Sequence, residues 1–557
     1  MRRYFIYSCV LFSLLSKTTY VQAQLIRVNA DSYKQQFEGA GVSIGLYLGH
    51  HSSMNDENKD KAIRFIVDNC NMLYLQDYIQ IYPSDDPAYF DRRADYFKAA
   101  RQYRPEIKVS MVGNKFPDNL MKEITVDGEV LKTLNTDDPL IYDKLAKWWF
   151  ELFKGFKERG VSVEILNVVN EPDLDRIFRK YHYGLNGNTK VAVAHIFEKA
   201  VPMFKAMFGN AEINHLNMPT PLIMGPSTIS PAGCLEYIRL FKANHPTAWQ
   251  LIDIVSLHQY IGGTNEAIFK SIIAEIENKP FHQSETHANM GDDLGKLPIS
   301  DAHRAALSVA RLFGVAVSNG INAWYYFENN YPHDFSPGGL MQVTWESTNP
   351  LPYKHYYAFR QLTSYQPAFS NLVSRDVLYS NNSEITCFRK RDEDTVYVHV
   401  SNFLPGNRSV TIDVKVDGQM RKLNSYSLRV TNADLNDEMI VSNNMLSGAY
   451  QLQYTVSGYS VNSFKIALYK DVSSVKAVRD FVGNTKVIKL NGAHKIIADN
   501  GSIIQSIEVF NLNGTRFKSY KDINSSEFDI INKEFTSGLY VFKVITETEI
   551  INHKVLM

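Results

Sequence analysis

The chain has 557 residues, with 59 basic and 59 acidic side chains, 45% hydrophobic and 12% aromatic residues. That length exceeds one small domain and predicts two or three. Balanced charge offers no long-range field for a nucleic acid or an anionic membrane surface, so neither is expected as a partner.

Residues 1–23 read as a secretory signal peptide. Arg2 and Arg3 precede an apolar run, and the small-residue end at Val21-Gln22-Ala23 predicts cleavage after Ala23. The run is too short for a permanent membrane span. Cys9 lies too early within it for lipid attachment. No later stretch is apolar enough to cross a bilayer, so a secreted or cell-surface protein without a transmembrane segment is expected. Cys70, Cys234 and Cys387 remain after cleavage, scattered and odd in number. Neither a disulfide framework nor a cysteine-built metal site is expected from them.

The next stretch, "LIRVNAD" (25–31), is β-like, and residues 24–36 are expected to join a later β-sandwich. From 37 to 365, short β-like runs alternate with amphipathic helical stretches such as 142–160 and 302–320. Eight runs read as strands: 39–45, 71–76, 107–113, 163–169, 221–227, 252–258, 280–285 and 321–327. That rhythm predicts a (β/α)8 TIM barrel, whose chemistry sits at the C-terminal strand ends. Over 366–470 the pattern becomes alternation without long helices ("TVYVHVSNF", "SVTIDVKV"), which predicts an accessory β-sandwich. Residues 475–557 read as a small C-terminal all-β domain, with a hairpin signal at Asn513-Gly514.

Two carboxylates meet the strand-end criterion. Glu171 follows "VEILNVVN" at the end of the fourth run, and Glu285 in "PFHQSETHAN" ends the seventh. Glycosidic hydrolysis needs such a pair flanking the bond, one protonating the leaving oxygen and one ionised to attack or to activate water. Asn170 offers an amide donor to the sugar hydroxyl beside the reacting carbon. His258 and Tyr260 finish the sixth run, and the tyrosine is placed to hold the strand-seven carboxylate ionised. Trp324 on the eighth run is the candidate stacking platform for a sugar ring, with core packing as its alternative role. Asn114, His282, His287, Tyr326 and Glu328 are further rim candidates.

The run "GVSIG" (41–45) fits the nucleophile elbow of serine hydrolases. Only residues 24–42 precede Ser43 in the mature chain, too few for the strand and loop that build an oxyanion hole. A glycine-rich first barrel strand explains the match better. No metalloprotease, phosphate-loop or dinucleotide motif occurs, so no cofactor or metal is expected.

These residues resemble the clan A retaining glycoside hydrolases, especially families 30 and 39, over about 25–470. "QQFEGAGVS" and "FKAARQYRPEIKVSMVGNKFPDNLMK" resemble family 30, and "DIVSLHQY" and "GGLMQVTWESTNPLPYKHYYAFRQL" look as much like family 39. The resemblance implies Glu171 as acid/base, Glu285 as nucleophile, and retention through a glycosyl-enzyme. Two departures stand out. Gln76 and Asp77 fall where many clan members carry an Arg, and "SETHAN" lacks the aromatic that often follows the nucleophile. The last 80 or so residues, through "IEVFNLNGTRF" and "FTSGLYVFKV", resemble the C-terminal sorting domain of the type IX secretion system. That likeness implies the secretion machinery as a partner. A small carbohydrate-binding or spacer module is the alternative.

The expectation is a secreted retaining hydrolase of β-glycosidic bonds in a plant or algal polysaccharide or oligosaccharide. Two alternatives stand beside it: an exo-acting β-xylosidase-like enzyme, and a non-catalytic surface glycan-binding protein.

Overall fold

The computed structural model describes residues 24–556 apart from 46–47, 80–86, 115, 127, 175–180, 183–188, 261–265, 292, 345–348, 379–381, 392, 470–484, 491–492, 499–501, 512–513, 532, 534, 536–537 and 548–549. The signal segment 1–23 and Asn513 lie outside the described residues.

Eight parallel strands close into a barrel: β1 Gly39–Ser43, β2 Met72–Tyr78, β3 Lys108–Val112, β4 Ile165–Asn167, β5 Leu222–Thr228, β6 Ile254–His258, β7 Phe281–Glu285 and β8 Ala323–Tyr326. Each pairs with its neighbours in chain order, and β8 returns to β1. Each of the eight predicted runs overlaps one of these strands. Six contain theirs, while Met72–Tyr78 runs two residues past the predicted 71–76 and Leu222–Thr228 one residue past 221–227. Strands covered on both sides need little polar alternation, which is why they read as apolar runs.

The helices between them follow from one-sided burial. Ile141–Glu158 buries Leu145, Trp149, Leu152, Phe153 and Phe156 along one stripe and leaves its charges outside. Asp301–Ser318 starts at Ser300, whose side chain accepts from His303 N, and buries most of its circumference because elements pack on both sides of it.

The barrel interior carries a polar-aromatic floor. The Tyr74 and Tyr325 rings stack with centroids 5.2 Å apart. The Tyr74 hydroxyl donates to Glu38, and His282 Nδ1 lies 3.2 Å from the Tyr325 hydroxyl. Farther up, the Gln76 amide donates to the Tyr78 hydroxyl at 3.2 Å and to the Ser284 carbonyl at 3.0 Å. Tyr74, Gln76 and Tyr78 are alternate residues of one strand, so they share its inner face at successive heights.

Ten further strands form one sheet, nine in a single hydrogen-bonded path and the tenth, Gln451–Val456, paired off it with Arg408–Val416. Its first member is Gln24–Phe37, antiparallel to Ser370–Leu378 and parallel to Arg408–Val416. Alternate residues, among them Ile26, Val28, Val396, Val398, Val410, Ile412, Leu428 and Phe464, form one buried core, so the path folds its inner faces together. Leu372, Phe388, Tyr397, Phe403 and Val461 instead join the core of the barrel. The β region is thereby joined to the barrel by apolar contact, and the chain through Leu468 forms one compact unit.

A second unit, Tyr469–Met557, has its own core. Three strands (Thr485–Leu490, Ala493–Ala498, Glu527–Ile531) form one sheet and four (Ile504–Asn511, Arg516–Tyr520, Leu539–Thr546, Ile550–Leu556) another. Gly514 takes φ 77° between two of these strands, a left-handed turn conformation that glycine adopts without strain.

Candidate active site

Glu171 lies four residues beyond the end of β4, where the backbone breaks from the ladder. Its φ is 44°, an uncommon conformation for a residue with a side chain. It is held there by its own N–H, which donates to the Ser227 carbonyl at 2.8 Å, and its carbonyl accepts from Leu174 N at 3.1 Å. Ser227 is anchored in turn, its hydroxyl donating to the Asn167 side chain at 2.8 Å. Strain of this kind persists only where the surroundings impose it, and it concentrates at functional sites.

Glu285 ends β7 and is almost wholly buried. Its two oxygens accept from two tyrosines: the Tyr78 hydroxyl at the end of β2 donates to Oε1, and the Tyr260 hydroxyl donates to Oε2. His258, at the end of β6, stands between the two acids. Its Nδ1 lies 2.9 Å from Glu171 Oε1 and 3.3 Å from Glu285 Oε2. With an acceptor on either side, that nitrogen carries the proton. One oxygen of Glu171, one of Glu285 and a His258 nitrogen all lie within 4.8 Å of one another.

Burial alone would push the His258 imidazole below its usual range, but the Glu285 and Glu171 carboxylates outweigh it and the net shift is upward. Burial and then the Glu171 charge push the Glu285 carboxyl above the usual carboxylate range, against the opposing pull of His258, Tyr260 and Tyr78. Site groups are characteristically displaced in this way, by burial combined with specific charged partners.

Both acids open into one cavity of about 340 Å³, lined by Tyr78, Asn114, Asn170, Glu171, Tyr260, Glu285, His287 and Phe327. The Asn170 amide donates to Asn114 Oδ1 at 3.1 Å. The His287 ring lies 4.8 Å from that of Tyr260. Five of the six residues singled out as site residues therefore converge here: Glu171, Glu285, Asn170 and Tyr260 on the wall, with His258 bridging behind.

Trp324 does not join them. It is fully buried, stacked on Phe359 with centroids 5.3 Å apart and edge-on to Phe313. Strand alternation explains the correction. Ala323 and Tyr325 face the barrel interior, so Trp324 and Tyr326 face the helical layer. Phe327, one residue past β8, is the aromatic that reaches the cavity. Among the other rim candidates, Tyr326 donates to the Pro337 carbonyl and accepts from Ala288 N. His282 belongs to the barrel floor, and Glu328 is buried away from the cavity wall.

Tyr78 and Phe327 were missed from sequence. The predicted second run ends at Gln76, whereas period-two counting from Tyr74 through Gln76 to Tyr78 places a third inward side chain at the mouth. Phe327 is the last residue of the predicted eighth run, so the strand-end criterion marks its position; the observed strand stops one residue earlier, at Tyr326.

The motif "GVSIG" resolves as packing. A Cβ on Gly41 would lie 2.6 Å from the Tyr325 ring, and one on Gly45 2.8 Å from Asp77 Oδ1. The Ser43 hydroxyl is buried, 3.4 Å from the Tyr78 hydroxyl and from Gln76 Nε2.

No model of a protein family matches the chain, and no curated protein matches it in sequence. Solved structures do match in fold. A GH30 endoxylanase from Clostridium papyrosolvens C71 superposes with a TM-score of 0.61 at 16% identity, covering 80% of this chain and 100% of the xylanase. The endo-beta1,6-glucanase BT3312 gives 0.55 at 14% identity, covering 81% of this chain and 96% of its own. A monomeric beta-xylosidase from Caulobacter crescentus CB15 gives 0.53 at 15%, covering 80% and 99%. At these identities the likeness establishes the architecture: a (β/α)8 barrel with an accessory β domain.

Proposed function

We propose that this chain is a retaining glycoside hydrolase acting on β-glycosidic bonds of a plant or algal polysaccharide. The observation that carries the proposal is the meeting of Glu171 and Glu285 on one cavity wall, with carboxylate oxygens within 4.8 Å. Separations near 5 Å suit direct attack by one acid, whereas inverting enzymes space their carboxyls by roughly 6.5–9.5 Å to admit water.

Glu171 in its acid form protonates the glycosidic oxygen while a Glu285 oxygen attacks the anomeric carbon. The bond to the leaving sugar breaks, and that sugar departs as an alcohol. Water then enters, Glu171 takes its proton, and the hydroxide oxygen displaces Glu285 from the anomeric carbon. Two inversions give net retention. Tyr78 and Tyr260 stabilise the ionised nucleophile by hydrogen bonding. His258, positive between the acids, reduces the repulsion between their charges. Asn170 lines the cavity beside the acids, its amide held by Asn114 and directed at the neighbouring sugar hydroxyl in this reading, and Phe327 offers an apolar face to the ring.

Two xylan- or glucan-cleaving neighbours favour an endo-acting enzyme. The β-xylosidase neighbour and a cavity near the low end of ligand-site volumes support an exo-acting reading beside it. The signal at 1–23 and the type IX-like domain at 475–557 support export to the cell surface or beyond.

Glu171→Gln is the discriminating variant. An enzyme loses roughly 10²–10⁴-fold in kcat on natural glycan with binding retained. A wild-type chain that turns over nothing across a panel of polysaccharides and aryl glycosides, and whose glycan affinity Glu171→Gln leaves unchanged, would instead be a glycan-binding protein.

A further inference from the structure

Away from the cleft, three potential metal ligands converge on the outer helical layer. Thr189–His195 runs into a π-helical turn, Ile196–Ala200, which places His195 and Glu198 three residues apart on one face. Such turns recur at functional positions. His245 sits at the corner between helices Pro231–Asn244 and Pro246–Leu251, where Pro246 fixes the backbone. Its Nδ1 lies 3.2 Å from each Glu198 oxygen. A His195 nitrogen lies within 4.8 Å of those donor atoms, and the two imidazole rings are 5.6 Å apart.

The Glu198–His245 contact alone would be an ordinary hydrogen bond. His195 makes it more than that: among the described residues it has no hydrogen-bond partner, yet it is turned toward the pair. Bonds of about 2.0–2.2 Å to a tetrahedral ion put ligand atoms about 3.3–3.5 Å apart; the His245–Glu198 pair already stands at 3.2 Å, and the His195 nitrogen lies within 4.8 Å of it. The side chains of His245 and Glu198 are only 14% and 22% exposed, so their geometry is partly set by packing.

We propose that His195, Glu198 and His245 form a binding site for a zinc-class divalent cation, with water as the fourth ligand. Two imidazoles and a carboxylate are the donors such ions select. The ion would tie the helix that follows residues 175–188, the segment after Glu171, to the corner between two barrel helices. Its role is then structural: it stabilises the fold and leaves the chemistry to the cleft.

The test uses the full chain, stripped with chelator and titrated with Zn²⁺ by calorimetry and with Co²⁺ by its visible absorption. One ion per chain is expected, at micromolar affinity or better. His195→Ala and His245→Ala should weaken binding at least about tenfold, lower the thermal gain from added zinc, and leave kcat/KM unchanged. Glu198→Gln removes the charged ligand at constant volume, and should lose the same affinity if an alanine variant folds poorly. His258→Ala should retain the ion, which separates this site from the acid–histidine cluster of the cleft. No binding at about 100 µM free zinc, or binding that survives the His195, Glu198 and His245 variants, overturns the proposal.

Discussion

Glu285 is under opposing influences. Burial and the nearby Glu171 favour its neutral form, while two tyrosine hydroxyls and His258 favour the carboxylate. In the proposed role of nucleophile Glu285 must be ionised, so a raised carboxyl means activity is lost as pH falls through that raised value. The acid limb of kcat/KM should therefore lie above the usual carboxylate range. Tyr78→Phe removes one of the stabilising donors and nothing of the carbon packing. It should move the acid limb to still higher pH and lower kcat/KM by about 10- to 150-fold, the worth of a hydrogen bond to a charge at about 1.5–3 kcal/mol. A pH–rate profile of the variant measures both. An acid limb that stays in place would remove Tyr78 from the mechanism.

At the level of elements, β1 shows how tightly the barrel interior is filled. Gly41 faces the Tyr325 ring, itself stacked on Tyr74, with no room for a methyl group. Gly41→Ala should destabilise by about 1–3 kcal/mol through overpacking, read by denaturant unfolding, with Ser43→Ala as a milder neighbour for comparison. The strands were legible because buried parallel strands announce themselves as apolar runs, and Glu171 and Glu285 stood out as acids where such runs stop. Side-chain direction was less legible. Residue type alone suggests Trp324 as a platform, whereas the facing of Ala323 and Tyr325 into the barrel decides that it points outward. Tyr78 was hidden by a strand end placed two residues early. The π-turn carrying Glu198 left no mark on the apolar periodicity at all.

Across the whole molecule, the division of cores decides what can be removed. The cleft and the ten-stranded β region belong to the unit ending at Leu468, and the C-terminal sheets keep a separate core. A chain ending after Leu468 should keep kcat/KM within about twofold, and should lose export if the C-terminal unit has the proposed sorting role. Removing the β region should be far more damaging, because Phe388, Tyr397 and Val461 complete the barrel's own core. The Gln361 amide binds the Arg429 and Val461 carbonyls at 3.1 Å across the same junction.

Whether two acids from distant strands act on one sugar as nucleophile and proton donor is decided by the stereochemistry of the first product. Proton NMR of a cleaved β-glycoside, followed from the earliest minutes, should show the β-anomer appearing first and the α-anomer only as mutarotation proceeds. An α-anomer formed first would mean a single displacement by water, and would contradict the role given to Glu285.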